Sequence, residues 1–336
     1  MIWLASTQIG HTRPVDPEKK PDPLGITERE VFVPDHDMKI LDDRVDWCVR
    51  TGITHLELWL QRGFRFPSHP ELDTPGAFSA EEMNAFVRRA RKRGVKVIPG
   101  LELAAHSSFW LGPVGRMIST PPYYRLVRDV LKDAFDAFDH PEIICVGMGE
   151  ETRDTRCISR WGDLLWHDIN FYGKVITKLG ARPMMDADTI WYYGQEDCRR
   201  VSKDIIQQNW YYKPTLDPNS VKVYAYNLLD EAGFDQIPLC SAYVQKDYNV
   251  KVNRDNVPNT LKYCREMLDP SRLLGYGVTR WHALNDGGTQ RYLEGWRYLD
   301  EARRTYYPEE DRRVHGYYAK INPNLPPREF PPLLVD

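Results

Sequence analysis

Short apolar runs alternate with amphipathic helical stretches along nearly the whole chain, and this alternation constrains the fold more than any other feature. The strand-like runs are residues 2–9, 54–60, 96–102, 142–147, 182–187, 204–210, 236–244 and 273–281. Helical patterns separate them at 38–50, 80–93, 123–138, 162–179, 196–203, 220–232, 257–267 and 289–305. A strand buried on both faces under helices is apolar throughout, so the pattern points to a parallel sheet. Eight such units in 336 residues, somewhat more than the ~250 of a typical barrel, predict a closed (β/α)8 TIM barrel of the α/β class. An open doubly wound sheet is the alternative.

The extra length falls in a Pro-rich segment at about 12–34 and in the tail 307–336, which contains Pro323-Asn324-Leu325-Pro326-Pro327 and Phe330-Pro331-Pro332. Both read as extended, non-helical chain laid on the surface of one catalytic barrel spanning 1–306. A formal charge of −3 gives no electrostatic reason to expect nucleic acid as a partner. The densest basic run, Arg88 to Arg93, shares a predicted helix with Met83, Phe86, Val87 and Ala90 and reads as its solvated face. No stretch approaches the ~20 apolar residues of a membrane span. The start, Met1-Ile2-Trp3-Leu4-Ala5, lacks the form of a secretory signal, so a cytoplasmic protein is expected unless an export signal has been removed. Six cysteines without a CxxC pair suggest reduced thiols rather than a metal finger.

In a barrel, chemistry gathers where the strands finish. The fourth run, Glu142 to Gly147, stops on small residues and then presents Glu150 and Glu151, where a barrel enzyme would place an acid. The other strand ends offer Arg13, Gln61, His106, Asp186, Asp188, Trp191, Trp210, Tyr212, Tyr243 and Trp281. Carboxylates and amides suit sugar hydroxyls, and indole or phenol rings suit the C–H face of a sugar, so this lining fits a carbohydrate substrate. No HxH or HExxH cluster supports a metal, Gly287-Gly288 lacks the spacing of a phosphate cradle, and no cofactor is expected.

Phe64-Arg65-Phe66-Pro67-Ser68-His69-Pro70, Phe78-Ser79-Ala80-Glu81-Glu82, the run Ala90 to Pro99 and the following His106 resemble glycoside hydrolase family 20, the β-N-acetylhexosaminidases, and more closely its divergent barrel-only relatives. The resemblance implies that a fourth-strand Glu protonates the leaving oxygen while the preceding Asp orients the 2-acetamido group of the substrate as nucleophile. Aligned without a gap, Cys145-Val146-Gly147-Met148-Gly149-Glu150 puts Gly149 at the Asp and Glu150 at the acid; with one extra residue, Glu150 takes the place of the Asp and Glu151 becomes the acid. By the same resemblance His106 and Asp188 position the sugar, Asp186 stands where an aromatic is common, Trp210 and Trp281 wall the site, and Gln61 replaces a frequent Glu. The implied activity is hydrolysis of a terminal β-linked amino sugar. A glycosidase without acetamide participation, a non-catalytic sugar-binding barrel and a metal-dependent sugar isomerase are the alternatives.

Overall fold

The computed structural model describes residues 1–8, 11–14, 30–33, 38–103, 107, 110–150, 160–246, 249–279, 288–330 and 332, with the backbone alone at 8, 11–14, 30–33, 243–246, 249–252 and 288–292. Eight parallel strands form the ring: β1 (Ile2–Gln8), β2 (His55–Trp59), β3 (Lys96–Gly100), β4 (Ile143–Cys145), β5 (Arg182–Asp186), β6 (Ile206–Gln208), β7 (Leu239–Cys240) and β8 (Gly275–Thr279). Their order follows the sequence, with β1 between β2 and β8. Bridges from Gln207 to Gln236 and from Trp210 to Leu239 join β6 to the seventh strand and close the cylinder. At the seam β1 runs beside β8 with Ile2 opposite Gly275. A Cβ at Gly275 would lie 1.9 Å from the Ile2 carbonyl oxygen, so only glycine permits this approach. The predicted (β/α)8 barrel is the fold observed.

Alternation along each strand sorts the side chains into two cores. Leu4, Trp59, Ile98, Cys145, Met184 and Leu239 belong to the group filling the cylinder. Leu56, Leu58 and Val97 face outward into the layer shared with the helices. Those helices are α1 (Met38–Thr51), α2 (Ala80–Lys92), α3 (Pro121–Ala137), α4 (Asp163–Leu179), α5 (Thr189–Tyr193), α6 (Gln195–Arg200), α7 (Val221–Glu231), α8 (Asn256–Met267), α9 (Gly288–Tyr306) and α10 (Pro308–Ile321). The second helix shows why the sequence folds this way. Ser79 and Glu82 form a reciprocal capping box, Met83, Phe86, Val87 and Ala90 are buried, and Arg88 and Arg89 face out to Asp139 and Asp42. The basic run is thus a solvated, ion-paired face.

Two segments differ from expectation. The tail is not wholly extended: α10 occupies its first half, begun by Pro308 with Glu309, Glu310 and Asp311 in the first turn, a sequence suited to a helix amino terminus. Burial of Val314 and Tyr318 anchors it, and the Tyr318 hydroxyl donates to the Ile53 carbonyl at 2.6 Å. The seventh apolar run yields a two-residue strand followed by an antiparallel hairpin, Tyr243–Lys246 with Asn249–Val252. A second hairpin, His11–Pro14 with Glu30–Val33, follows β1 within the Pro-rich segment.

Candidate active site at the carboxyl ends of the strands

The chain leaves β4 through an irregular turn in which Gly147, Met148 and Glu150 have φ of 68°, 76° and 59°. Left-handed backbone at Met148 and Glu150 is costly for residues with a Cβ and is concentrated at functional sites. The glycines here make room for carboxylates from both neighbouring strands. A Cβ at Gly147 would come within 2.7 Å of Glu102 Oε2, beyond β3, and one at Gly149 would meet Asp186 Oδ2, at the end of β5, at 3.2 Å. The Gly147 carbonyl accepts from the Asp186 amide at 2.6 Å.

Glu150 is exposed, and its backbone N–H donates to Asp188 Oδ2 at 2.9 Å. The other Asp188 oxygen accepts from the Trp210 indole N–H at 2.5 Å. Trp210 stacks on Tyr212 with centroids 4.9 Å apart and meets Trp191 edge-on at 4.6 Å. The Trp191 indole donates to Asn209, whose amide donates to the Lys222 carbonyl in the first turn of α7. One hydrogen-bonded unit therefore ties the exposed acid, a buried carboxylate and an aromatic corner together.

The carboxylates beneath Glu150 are short of compensating charge. Burial, and then the charges of Asp188, Glu102, Glu57 and Glu150, push Asp186 well above the usual carboxylate range. Burial likewise raises Asp188 to about 7, against the opposing pull of the N–H donors from Glu150 and Trp210. Inside the cylinder Glu57 is raised to about 6 by burial. Ser6, Cys145 and Trp59 offset part of that rise by their proximity, yet neither Glu57 oxygen has a partner at hydrogen-bond geometry, and Asp186 Oδ1 has none either. A cluster of this kind holds protons near neutral pH and can support general acid chemistry.

Of the residues expected from the sequence, the fold brings together Glu150, Asp186, Asp188, Trp191, Trp210 and Tyr212. Gln61 lies half-buried in the short turn Gln61–Gly63 after β2, with no described bond to that group. For Arg13 and Tyr243 the structure gives the backbone only, in the two hairpins. Glu151, His106 and Trp281 lie outside the described residues. Sequence reasoning missed Glu57 and Lys222 as candidates. Glu57 carried a signal, an acid at the inward alternate position between His55 and Trp59, whereas Lys222 sits on a helix and carried none.

Among the described residues one group has spacing suited to a metal, Asp300, Asp311 and His315 on α9 and α10. Arg303 and Arg328 already bond both aspartates there. Arg303 also donates to the Thr51 and Gly52 carbonyls just before β2, which puts the group at the amino ends of the strands, opposite the candidate site. A cavity of about 240 Å³ lies at that same end, lined by His55, Arg91, Lys96, Asp139 and Glu142 among others. Its charges are paired, Arg91 with Asp139 and Lys96 with Glu142. No described helix is long and apolar enough to cross a membrane.

No family model matches the chain, and no curated protein matches it in sequence. Solved structures do match in shape. The chitobiase of Flavobacterium johnsoniae superposes with a TM-score of 0.61 at 16% identity, over 86% of this chain and 50% of that one. A catalytic module of the pneumococcal exo-β-D-N-acetylglucosaminidase gives 0.59 at 14%, over 90% and 85%. The exo-β-N-acetylglucosaminidase of Vibrio harveyi gives 0.56 at 13%, over 83% and 56%. This chain thus spans about half the length of the first and third of these proteins. At such identities the likeness is one of fold, and the chain has the barrel architecture of the family 20 glycoside hydrolases.

Proposed function

We propose that this protein is a glycoside hydrolase that removes a terminal β-linked amino sugar or a related glycoside, with Glu150 as the general acid and Glu151 assisting it or taking its place. The observation that carries this reading is Asp188, which holds the Glu150 backbone with one oxygen and the Trp210 indole with the other. The backbone that carries the acid is thereby tied to a ring suited to the apolar face of a sugar. Asp186 and Asp188 would orient the sugar or the acid, with His106, Gln61, Arg13, Trp191, Tyr212, Tyr243 and Trp281 as further substrate contacts. Two of the barrels similar in fold belong to enzymes named as exo-β-N-acetylglucosaminidases.

Gly149 favours a second reading. It offers no side chain beside Glu150 to orient an acetamide, so a two-carboxylate mechanism with Asp186 or Asp188 as partner is the competing chemistry. A panel of aryl β-glycosides with and without the 2-acetamido group, run on wild type, Glu150→Gln and Glu151→Gln, tests both. Turnover confined to acetamido substrates supports the first reading, and turnover of plain glycosides supports the second. Full activity in both glutamine variants overturns the assignment of the acid.

A further inference from the structure

The aromatic corner beside Glu150 contains a cation that hydrolysis of a neutral sugar does not call for. Lys222, in the first turn of α7, is half-buried, with its ammonium 3.7 Å from the Trp191 ring centroid and 4.1 Å from that of Trp210. Among the described residues this ammonium has neither an ion pair nor a hydrogen-bond acceptor. Both oxygens of nearby Asp188 are committed to other donors. Burial lowers the pKa of Lys222, and the opposing pull of the negative charges on Asp188 and Glu150 offsets only part of that. Lys213 brings a second positive charge into range. Indole faces stabilise an ammonium by cation–π attraction but do not accept its three N–H bonds as an oxyanion would. If the corner needed only packing, an apolar chain such as Met would brace the two indoles without the desolvation of a charge.

We propose that Lys222 makes this site select sugars carrying an anionic substituent, either a carboxylate or a sulfate ester, placed against the Trp191–Trp210 corner. The inference deepens the carbohydrate reading above and rests on it. The ammonium would exchange a partly hydrated state for a charge-assisted contact with the substituent, a contact stronger than its neutral counterpart. The effect falls on binding and therefore on KM.

The test begins with tryptophan fluorescence on the full chain, in which Trp191 and Trp210 are the two of ten tryptophans that lie against Lys222. Glucuronate is titrated against glucose, and N-acetylglucosamine 6-sulfate against N-acetylglucosamine, at low ionic strength. The anionic member of one pair should bind at least about tenfold more tightly, and added salt should narrow the gap. The pair that shows the gap identifies the anion as carboxylate or sulfate. In Lys222→Met the two members should bind alike, while Lys222→Arg should keep the preference. Aryl glycosides of the same sugars should repeat the pattern in KM rather than kcat. No preference in the wild type, or a preference that survives Lys222→Met, overturns the inference and leaves the glycosidase reading standing on turnover of neutral glycosides. Anion-selective binding without turnover of any aryl glycoside removes the hydrolase reading and leaves Lys222 as a recognition residue.

Discussion

At the amino ends of the strands Asp300 and Asp311 are buried against the guanidinium groups of Arg303 and Arg328, whereas Glu57 inside the cylinder and Asp186 and Asp188 at the carboxyl ends are buried with no ion pair among the described residues. The consequences are opposite. Burial pushes the Asp311 carboxyl up, but Arg328 and Arg303 more than offset it and hold the group below its ordinary range. Asp186 and Asp188, lacking such partners, are driven up. Buried charge is tolerated where it is paired, and where it is unpaired the group keeps its proton. One end of the barrel is therefore braced by ion pairs, and the other stores protons beneath the exposed Glu150.

The strongest way to break this comparison is Arg303→Met. Leaving Asp300 and Asp311 short of a partner should lower unfolding stability by about 3–5 kcal/mol in urea titrations. A loss below about 1 kcal/mol would show that Arg328 alone suffices and that the bracing is shared differently. At the other end Glu150→Gln should cut turnover by about 10²–10⁴-fold, near 3–5 kcal/mol of barrier, while the urea midpoint stays put because the side chain is exposed. A shifted midpoint would make Glu150 a structural residue.

Asp188→Asn sharpens the contrast through pH. Asp188 is near 7 in the folded protein against an ordinary 3.8, so between those values the folded state holds a proton that the unfolded chain has lost. Its contribution is complete below the lower value and drains away as pH rises through the upper one, amounting to about 4 kcal/mol. Stability of the wild type should therefore fall relative to Asp188→Asn as pH is raised across that window. His55, lowered to about 3 by burial, pulls the other way but is common to both proteins and cancels in the difference. Parallel pH curves would mean that Asp188 is ionised in the folded state. The smallest effect belongs to Asp186→Asn near neutral pH. A buried carboxyl pushed well above its ordinary range should tolerate the amide within about 1 kcal/mol, and a loss beyond about 3 kcal/mol would reveal an ionised, bonded Asp186.

The alternation of strands and helices was legible because each unit repeats the same physical demand, a strand covered on both faces. The exit of β4 was legible too, since small residues followed by carboxylates mark a turn into solvent. The reason for Gly147 and Gly149 was not, because it lies in Glu102 and Asp186 on neighbouring strands rather than in the local sequence. Glu57 was hidden for the opposite reason: one acid within a five-residue buried strand looks incidental until the register turns it inward. Composition misled in the tail, where abundant proline obscured the helix-starting run from Pro308 to Asp311.

The glycine-bearing seam governs how the molecule comes into being. Ile2 pairs with Gly275, so β1 leaves the ribosome about 270 residues ahead of the strand it must pair with. Until then one edge of β1 offers its amides and carbonyls to any passing strand, and a nascent or truncated chain is an invitation to aggregate. Ring closure between distant ends should make folding slow and dependent on chaperones during translation, a liability that comes with building a cylinder from a single thread.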